Sequence, residues 1–329
     1  AKVGWFGAKS DGVTNDTAAV NAAVAAFPFG GGGIVEFPVG VTLVSGLANI
    51  PADIALVGVS RSKSILRTNS ATASVIVLDG SRAMVHNLTI DAAVTRTAGS
   101  FIAATTNCSR ILIKGVDLVG PFIGVYLPYP SIAIAHIIDV DIVDAVPLTG
   151  TSIQIDGGFV VLMDGVICRL SSYAGARPFA HVSVKHVEDL VINNTQLIGA
   201  DVNLNLAPPN GRSVNLVRSH NTIYDFADSI GIRIAPDAGG AVFEVVIDSP
   251  WIKGDTHDVL ATDVGGGAVL VGLLAVEQRA ARTGDGQFRI GSAGADSHAG
   301  KRRHAGVIGG VGKQRHDPVA DELVHNSTV

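Results

Sequence analysis

One pattern of five residues occurs six times, as His86–Ile90 (HNLTI), Lys114–Leu118 (KGVDL), Ile138–Ile142 (IDVDI), Asp164–Cys168 (DGVIC), Asn193–Leu197 (NNTQL) and His220–Tyr224 (HNTIY). The middle residues of successive copies are 28, 24, 26, 29 and 27 positions apart. A repeat of this period is typical of a solenoid, in which each unit buries its apolar face by stacking on its neighbours. Apolar and polar residues alternate within the copies, as they do in β-strands. The sequence therefore predicts a β-solenoid.

Two further series of short alternating segments accompany this one, so each coil is predicted to contain three strands. Series one comprises Val75–Leu78, Phe101–Ile102, Val125–Leu127, Ile153–Ile155, Val182–Val184, Val202–Leu204, Ile232–Ile234, Val259–Leu260 and Phe288–Ile290. Series two comprises Ala83–Val85, Ile111–Ile113, Ile132–Ile134, Val160–Leu162, Leu190–Ile192, Val214–Leu216, Phe243–Val245 and Val269–Val271. The six copies of the opening pattern are series three. Together they predict an all-β fold, a single-stranded parallel β-helix of about eight or nine coils.

The junction between series two and series three is one or two residues long and is mostly Asn, Asp or Gly. These residues tolerate left-handed backbone angles and tight bends. Asn87, Asp139, Asn194 and Asn221 occupy this junction, and we expect their side chains to form hydrogen bonds along the stack. In the adjoining strands, Val140, Val166, Leu197 and Ile234 are predicted to point inward, and Asp141, Gln154 and Arg233 outward.

The composition agrees with this fold and narrows the possible partners. The chain is 47% hydrophobic and 16% charged, contains 39 glycines and has a formal net charge of −5. Ile, Val, Leu and Ala fill the interior of such a rod, and the turns use glycine. The negative net charge gives no reason to expect nucleic acid or an anionic membrane as a partner. We therefore predict neither.

The two ends of the chain differ from the repeat. Asp16 is a favourable N-cap for an alanine-rich helix over residues 17–27, and we expect this helix to cap the first coil. The expected organisation is an N-terminal cap and first strand in residues 1–40, the β-helix in residues 41–290, and an aperiodic tail in residues 291–329. Cys108 and Cys168 lie at different depths, so a disulfide between them is not expected.

Two N-terminal stretches, Phe6–Val20 (FGAKSDGVTNDTAAV) and Gly31–Gly40 (GGGIVEFPVG), resemble the N-terminal signature of the pectate-lyase-like superfamily. That superfamily includes polysaccharide lyases, polygalacturonase-type hydrolases, uronan epimerases and bacteriophage tailspike depolymerases. The resemblance implies a right-handed β-helix that acts on extended acidic or complex glycans, with the substrate lying across series one. It covers about forty residues and specifies the fold better than the reaction.

The motifs that distinguish the reactions within this superfamily are missing from the sequence. There is no Asn-Thr-Asp, Asp-Asp and Gly-His-Gly set, no Asp-Pro-His, and no Arg-x-Pro-x-x-Arg. The resemblance then favours a divergent polysaccharide lyase or a tailspike-like depolymerase. It implies a bacterial polysaccharide substrate cleaved by β-elimination at a uronate, a homotrimer, and a location outside the cell or on a virion tail. A non-catalytic glycan-binding adhesin, a structural tail protein and a glycoside hydrolase remain alternatives.

Outward positions on series one are the candidate site, because stacking places them in a stripe along one face. Elimination needs a base and a cation that stabilises the developing enolate. The candidate catalytic residues are Tyr126, Asp156, Lys185, His186 and Arg233. The candidate substrate-binding residues are Gln154, Ser183, Asn203 and Asn205. Any strand surface that faces solvent is ordinarily polar, so the alternative is that these residues only contact water and bind no substrate.

A second group of carboxylates lies on series three and its turns: Asp117, Asp139, Asp141 and Asp144. Three or four oxygens of this kind can hold Ca²⁺, and no other cofactor is expected. The same carboxylates can serve hydrolysis or simply face solvent. His181 and His186 flank one strand end, where a histidine is more commonly a turn or surface residue than a base.

Overall fold

The computed structural model describes residues 1–27, 31–106, 108–130, 134–248, 250–261, 270–274, 278–282, 288–292 and 308–309. Its strands stack in parallel into an all-β solenoid of about nine turns, which confirms the predicted class. One α-helix, Thr17–Ala25, and one 3-10 turn, Val3–Phe6, occur in the described part of the chain. No helix among these residues is long and apolar enough to cross a membrane.

The three predicted series are present as two continuous parallel sheets. Series one consists of Ile76–Leu78, Ser100–Ala104, Ile123–Leu127, Thr151–Ile155, Ala180–Val184, Val202–Leu206, Ile230–Ile234 and His257–Ala261. Series two consists of Gly33–Phe37, Ile54–Gly58, Ala83–His86, Val160–Asp164, Val187–Asn193, Ser213–His220, Ala241–Asp248 and Leu270–Leu274. Series three consists of Asp11–Asn15, Gly40–Val44, Ser64–Thr68, Thr89–Ala92, Ile167–Arg169, Gln196–Ile198, Ile223–Ala227 and Trp251–Gly254. The long strands Arg110–Val119 and Ile134–Val143 contribute to both series two and series three.

The predicted side-chain directions hold along the rod. Val140, Val166, Leu197 and Ile234 are buried in one apolar core, as predicted. Asp141, Gln154 and Arg233 retain partial exposure on the outer surface. Ile, Val and Leu supply most of this core, because β-branched side chains stack well on the pleated surface of successive strands.

The junction between series two and series three bends through one residue with a positive φ. This holds for Asn87 (60°), Gly115 (62°), Asp139 (52°), Gly165 (64°), Asn194 (48°) and Asn221 (50°). A side-chain ladder forms over part of this column, where Asn221 Nδ2 donates to Asn194 Oδ1 and Asn194 Nδ2 donates to Asp164 Oδ1, both at 2.9 Å. Asn87 instead donates to main-chain carbonyls of the preceding coil, and Asp139 accepts from Arg61. The predicted ladder is therefore confined to the C-terminal coils.

The N-terminal helix is shorter than predicted, and its N-cap residue lacks the expected side-chain hydrogen bond. It ends at Ala25 rather than at Phe27, and Asp16 makes no side-chain capping bond to it. The Asp16 carboxylate instead accepts hydrogen bonds from the main-chain N–H groups of Lys9 (2.8 Å) and Ser10 (2.9 Å). It therefore closes the preceding loop. That the helix caps the first coil remains a prediction.

Strand pairing changes direction near the C-terminus. Phe288–Ser292 pairs antiparallel with His257–Ala261, so the assignment of Phe288–Ile290 to the parallel series one was wrong. At the other end, Asp11–Asn15 and Gly33–Phe37 already pair in parallel with strands of the next coil. Three predicted members of series two, Ile132, Ala133 and Val269, lie outside the described residues, as does most of the predicted tail.

Series one bends, so that one of its rows faces the interior against strict alternation. The row runs through Gly124, Ser152, His181 and Asn203. A Cβ added at Gly124 would lie 3.2 Å from Ile142 Cδ1, a core atom. His181 and Asn203 are completely buried. The sequence-based placement of Asn203 on the outer face, and of His181 at a surface turn, was therefore wrong.

His181 is a neutral core histidine held by two hydrogen bonds. Nε2 lies 2.9 Å from the carbonyl oxygen of Ile198, which can only accept, so Nε2 carries the proton. Nδ1 then accepts from the Ser152 hydroxyl at 3.0 Å. Burial lowers the pKa of His181 to about 4, and the positive charge of Arg177 acts in the same direction.

The lowered pKa of His181 predicts that the folded protein loses stability as the pH falls. The unfolded chain binds a proton at His181 below about pH 6.5, whereas the folded chain resists it until about pH 4. The free energy of unfolding should fall by about 3 kcal/mol across that window because of His181 alone. His181→Gln costs stability at pH 7 but removes this component, so urea unfolding should show the two proteins converging as the pH falls. Parallel pH profiles for the two proteins would contradict the assignment.

Candidate functional site

The outer face of series one carries one polar row in strict register. Tyr126, Gln154, Ser183, Asn205 and Arg233 lie on consecutive coils and pair directly with one another. This is the row predicted from the sequence. Tyr126, Gln154 and Arg233 are partly exposed, whereas Ser183 and Asn205 are buried although they belong to the outward row.

Asp156 is the centre of the candidate site, at the point where the chain leaves series one. Its carboxylate accepts hydrogen bonds from Gln154 Nε2 (3.0 Å) and from the Tyr126 hydroxyl (3.3 Å). Lys185 Nζ lies 3.1 Å from one carboxylate oxygen and 3.2 Å from the other. The Asp156 side chain is 14% exposed. Three coils thus contribute to one compact cluster, which unites four of the predicted site residues.

Two residues that the sequence analysis missed complete this cluster. The Arg212 guanidinium donates to the main-chain oxygen of Asp156 at 3.4 Å and lies over the Tyr129 ring, 4.0 Å from its centroid. The Tyr129 ring in turn makes an edge contact with His186, at a centroid distance of 5.4 Å. Both residues lie in turns, at positions without a periodic counterpart. The Pro-Pro-Asn-Gly sequence before Arg212 indicates a turn but not where its arginine lies.

Tyr126 is held in its protonated form. Burial raises its pKa, and the negative charge and hydrogen bond of Asp156 raise it further, while the positive charge of Arg212 lowers it. The phenol is therefore a proton donor near neutral pH.

His186 is oriented by the turn that follows series one. Nδ1 lies 2.8 Å from the carbonyl oxygen of Ser213, so Nδ1 carries the proton when the ring is neutral. The lone pair is then on Nε2, which lies 3.9 Å from Glu188 Oε1. Glu188 is itself held by the Asn215 amide. The pair of His186 and Glu188 thus places a potential base one coil beyond Asp156.

The remaining predicted residues lie apart from this cluster. Asn205 Nδ2 donates to Ser183 Oγ at 3.3 Å, and Asn205 Oδ1 is buried with no hydrogen-bond partner. Arg233 lies one coil beyond Asn205. Asn203 faces the interior, where its amide donates to the main-chain oxygen of Asp225, so it cannot contact a ligand on this face.

The acidic group on series three is neutralised by arginines of the same rod. Arg61 contacts both Asp117 and Asp139, and Arg169 contacts Asp141. Asp144 accepts hydrogen bonds from the main chain and hydroxyl of Ser171. Among the described residues, no group of three or more His, Cys, Asp or Glu side chains is arranged to hold a metal ion. The expectation of Ca²⁺ at these four aspartates is therefore not supported, since cations of the protein already occupy three of them.

Residues 1–120 match the family model described as rhamnogalacturonase A/epimerase, pectate lyase-like. This confirms the resemblance to pectate-lyase-like proteins over that part of the chain. The matched stretch ends before Tyr126 and contains none of the residues around Asp156. No curated protein matches the chain.

Three solved structures illustrate what the chain is similar to. The A-module of mannuronan C-5 epimerase AlgE6 from Azotobacter vinelandii is 13% identical, with a TM-score of 0.38, over 80% of this chain and 99% of that one. The enzymatically active domain of tailspike protein 2 from bacteriophage CBA120 is 14% identical, with a TM-score of 0.46, over 84% and 46%. An exopolygalacturonase from Thermotoga maritima is 11% identical, with a TM-score of 0.47, over 81% and 91%. Sequence identities and TM-scores this low say nothing about any reaction of this chain.

The cluster around Asp156 predicts opposite responses of Tyr126 to two substitutions. Asp156→Asn removes the negative charge and should lower the pKa of Tyr126, whereas Arg212→Gln removes the nearby cation and should raise it. NMR titration of ring-labelled tyrosine measures both. Tyr224, whose pKa is raised by burial in the core, serves as the internal control and should respond to neither substitution. Shifts of Tyr126 in the same direction in both variants would contradict this geometry.

Proposed function

We propose that this chain binds an acidic polysaccharide across series one and cleaves it by β-elimination at a uronate. The observation that carries the proposal is the convergence of a phenol and an ammonium on the largely buried carboxylate of Asp156, beside a guanidinium on its main-chain oxygen. The match of residues 1–120 to a pectate-lyase-like family supports a carbohydrate-active role. The reaction and the substrate are inferred from the chemistry of the cluster.

β-Elimination needs three functions, and the cluster supplies a candidate for each. A base takes the proton from C5 of the uronate, and His186 Nε2 is the side-chain lone pair available for this. The C4–O bond then breaks as a double bond forms between C4 and C5. The departing oxygen takes a proton, for which Tyr126 is the donor because its raised pKa keeps the phenol protonated. Water restores the tyrosine proton after product release.

The third function is stabilisation of the negative charge that develops on the uronate carboxylate. Lys185 and Arg212 supply two positive charges beside Tyr126. A guanidinium matches a carboxylate through two parallel hydrogen bonds, and the contact with the Tyr129 ring holds the Arg212 guanidinium in place before substrate arrives. Preorganised charge of this kind is typically the largest contribution to such reactions. Asp156 holds Tyr126 and Lys185 in position and is assigned no proton transfer.

The other residues of the row contact neighbouring sugars in this proposal. Gln154, Ser183, Asn205 and Arg233 lie along the rod from the cluster, at the spacing of successive coils. A substrate outside the cell is the natural partner for such a row, so the proposal places the protein outside the cell or on a virion tail.

The first experiment is a panel of polysaccharides incubated with the intact chain, with polygalacturonate, alginate and xanthan as acidic members and dextran as the neutral one. Elimination leaves an unsaturated uronate at the new end, which absorbs ultraviolet light. Fragments with this absorbance support the lyase. Fragments without it indicate a hydrolase, for which Asp156 and Glu188 are the candidate carboxylates. Binding without fragments indicates an adhesin.

Tyr126→Phe tests the assigned proton donor with little change in shape. Loss of one general acid typically lowers the rate about 10²–10⁴-fold, and kcat should fall by that order while substrate binding persists. Tyr224→Phe is the matched control, because it removes a tyrosine hydroxyl that bonds to Ser219 in the core, and it should retain full activity. Equal activity of Tyr126→Phe and the natural chain would remove Tyr126 from the mechanism.

We also propose that the chain assembles as a homotrimer. On the outer face of series three, Ile167, Gln196, Ile223 and Trp251 lie in one row, and Trp251 is 62% exposed. Packing of three parallel rods covers such a row. Sedimentation should give a mass of about three chains, and Trp251→Glu should shift it toward one chain, while Trp5→Glu at the other end should not. A mass near 33.7 kDa for the natural chain would exclude the trimer.

A further inference from the structure

A second exposed group lies at the opposite border of series one from Asp156. Tyr173 belongs to the ten-residue connection 170–179 that leads into Ala180–Val184, and Phe226 lies four residues before Ile230–Ile234. Both side chains therefore lie where the chain enters series one, whereas Asp156, Lys185 and Arg212 lie where it leaves. A five-residue strand, roughly 16 Å long, separates the two borders.

The two aromatic rings form one stacked and exposed surface. Their centroids are 5.5 Å apart with planes inclined by 26°, and the two residues are 43% and 50% exposed. Tyr173 rests against Gly199, where an added Cβ would lie 2.7 Å from the ring. Any side chain at position 199 would displace the ring, so the coil beneath is shaped to receive it.

Charged groups hold this surface in place from both sides. Arg177 is 12% exposed, contacts Asp228 at 2.7 Å and donates to the main-chain oxygen of Phe226. Its guanidinium also lies 5.9 Å from the Tyr173 centroid, and Lys253 Nζ lies 5.6 Å from that of Phe226. The connection 170–179 is thereby tied to a strand two coils away. The rings are fixed before any ligand binds.

Phe226 reaches this position at a cost that burial does not offset. Its φ is 50°, in the left-handed region that bulky residues rarely adopt, and its side chain remains half exposed. Such a conformation typically costs of order 1 kcal/mol. The strained backbone therefore presents to solvent the part of the Phe226 ring that Tyr173 leaves uncovered, and exposed apolar surface of this kind marks interaction sites.

We propose that Tyr173 and Phe226 form an aromatic subsite for one sugar ring of the same polysaccharide. This ring lies several sugars along the polysaccharide from the glycosidic bond that is cleaved beside Asp156. The inference rests on the proposed function and extends it to the opposite border of series one. The apolar C–H face of a pyranose suits a flat exposed ring, and Lys253 and Asp225 at the margin suit its hydroxyls. The occupant is a glycan in this proposal because the two rings lie only one strand length from the cluster, within reach of the same extended polymer.

The subsite predicts a length-dependent effect of Tyr173→Ala. With whichever polymer of the panel is cleaved, KM should rise about 10-fold, as expected for losing one buried aromatic contact, while kcat stays unchanged. Short oligosaccharides of the same sugar, too small to reach from Asp156 to Tyr173, should show no change in either constant. Tyr173→Phe keeps the ring and should behave as the natural chain. Phe226→Leu provides a second test if Tyr173→Ala folds poorly, and Trp5→Ala is the control for loss of a remote exposed ring.

The outcomes separate this inference from the function on which it rests. If the natural chain binds none of the probes, the proposed function fails. If it binds and cleaves a polymer but Tyr173→Ala has an unchanged KM, the subsite is wrong and the function stands. Equal losses for polymer and oligosaccharide would mean a structural effect and overturn the subsite. So would a changed sedimentation mass of Tyr173→Ala, because the rings would then contact another copy of the chain.

Discussion

A single residue with left-handed backbone angles, placed between series two and series three in six successive coils from Asn87 to Asn221, is the constraint on which most of the rod depends. It turns the chain within one or two residues, so the strands on either side keep their register from coil to coil. Asn, Asp and Gly occupy the position because other residues adopt positive φ only with strain. The backbone supplies the same bend whether the side chain is Asn194, which bonds to its neighbours, or Gly165, which has none. The conformation is therefore the repeated feature, and the side-chain ladder is an addition where Asn recurs.

That register is what brings the candidate site together. Residues about thirty positions apart become neighbours because parallel strands stack at a constant spacing. Tyr126, Asp156 and Lys185 could therefore be predicted from the sequence, since Tyr126 lies in the outward row and Asp156 and Lys185 each follow a recognisable strand by one residue. Arg212 and Tyr129 could not, because they lie in turns whose lengths differ between coils. Their positions follow from how each turn folds back over the strand, and no period in the sequence records it.

The assumption that side chains alternate strictly between inward and outward also limits what the sequence predicts. It assigns two faces to every strand, but series one buries consecutive residues. Asn203 and His181 consequently face the interior, where their polar atoms are bonded to the main chain. The acidic residues of series three show a similar limit. Asp117 and Asp139 share a face as predicted, yet Arg61 reaches them from a coil more than fifty residues earlier. A long side chain crossing coils leaves no trace in the local pattern.

The contacts of Asp156 bear on which reaction the site can perform. Its carboxylate already accepts from Gln154, Tyr126 and Lys185, so most of its lone pairs are occupied. To act as a nucleophile or base in hydrolysis, it would have to give up bonds that also position the phenol and the ammonium. Elimination makes no such demand, because Asp156 can remain bound while Tyr126 and the two cations act. The same saturation explains why the cluster is compact before substrate arrives, since each donor is held by an acceptor that takes no part in the proton transfers.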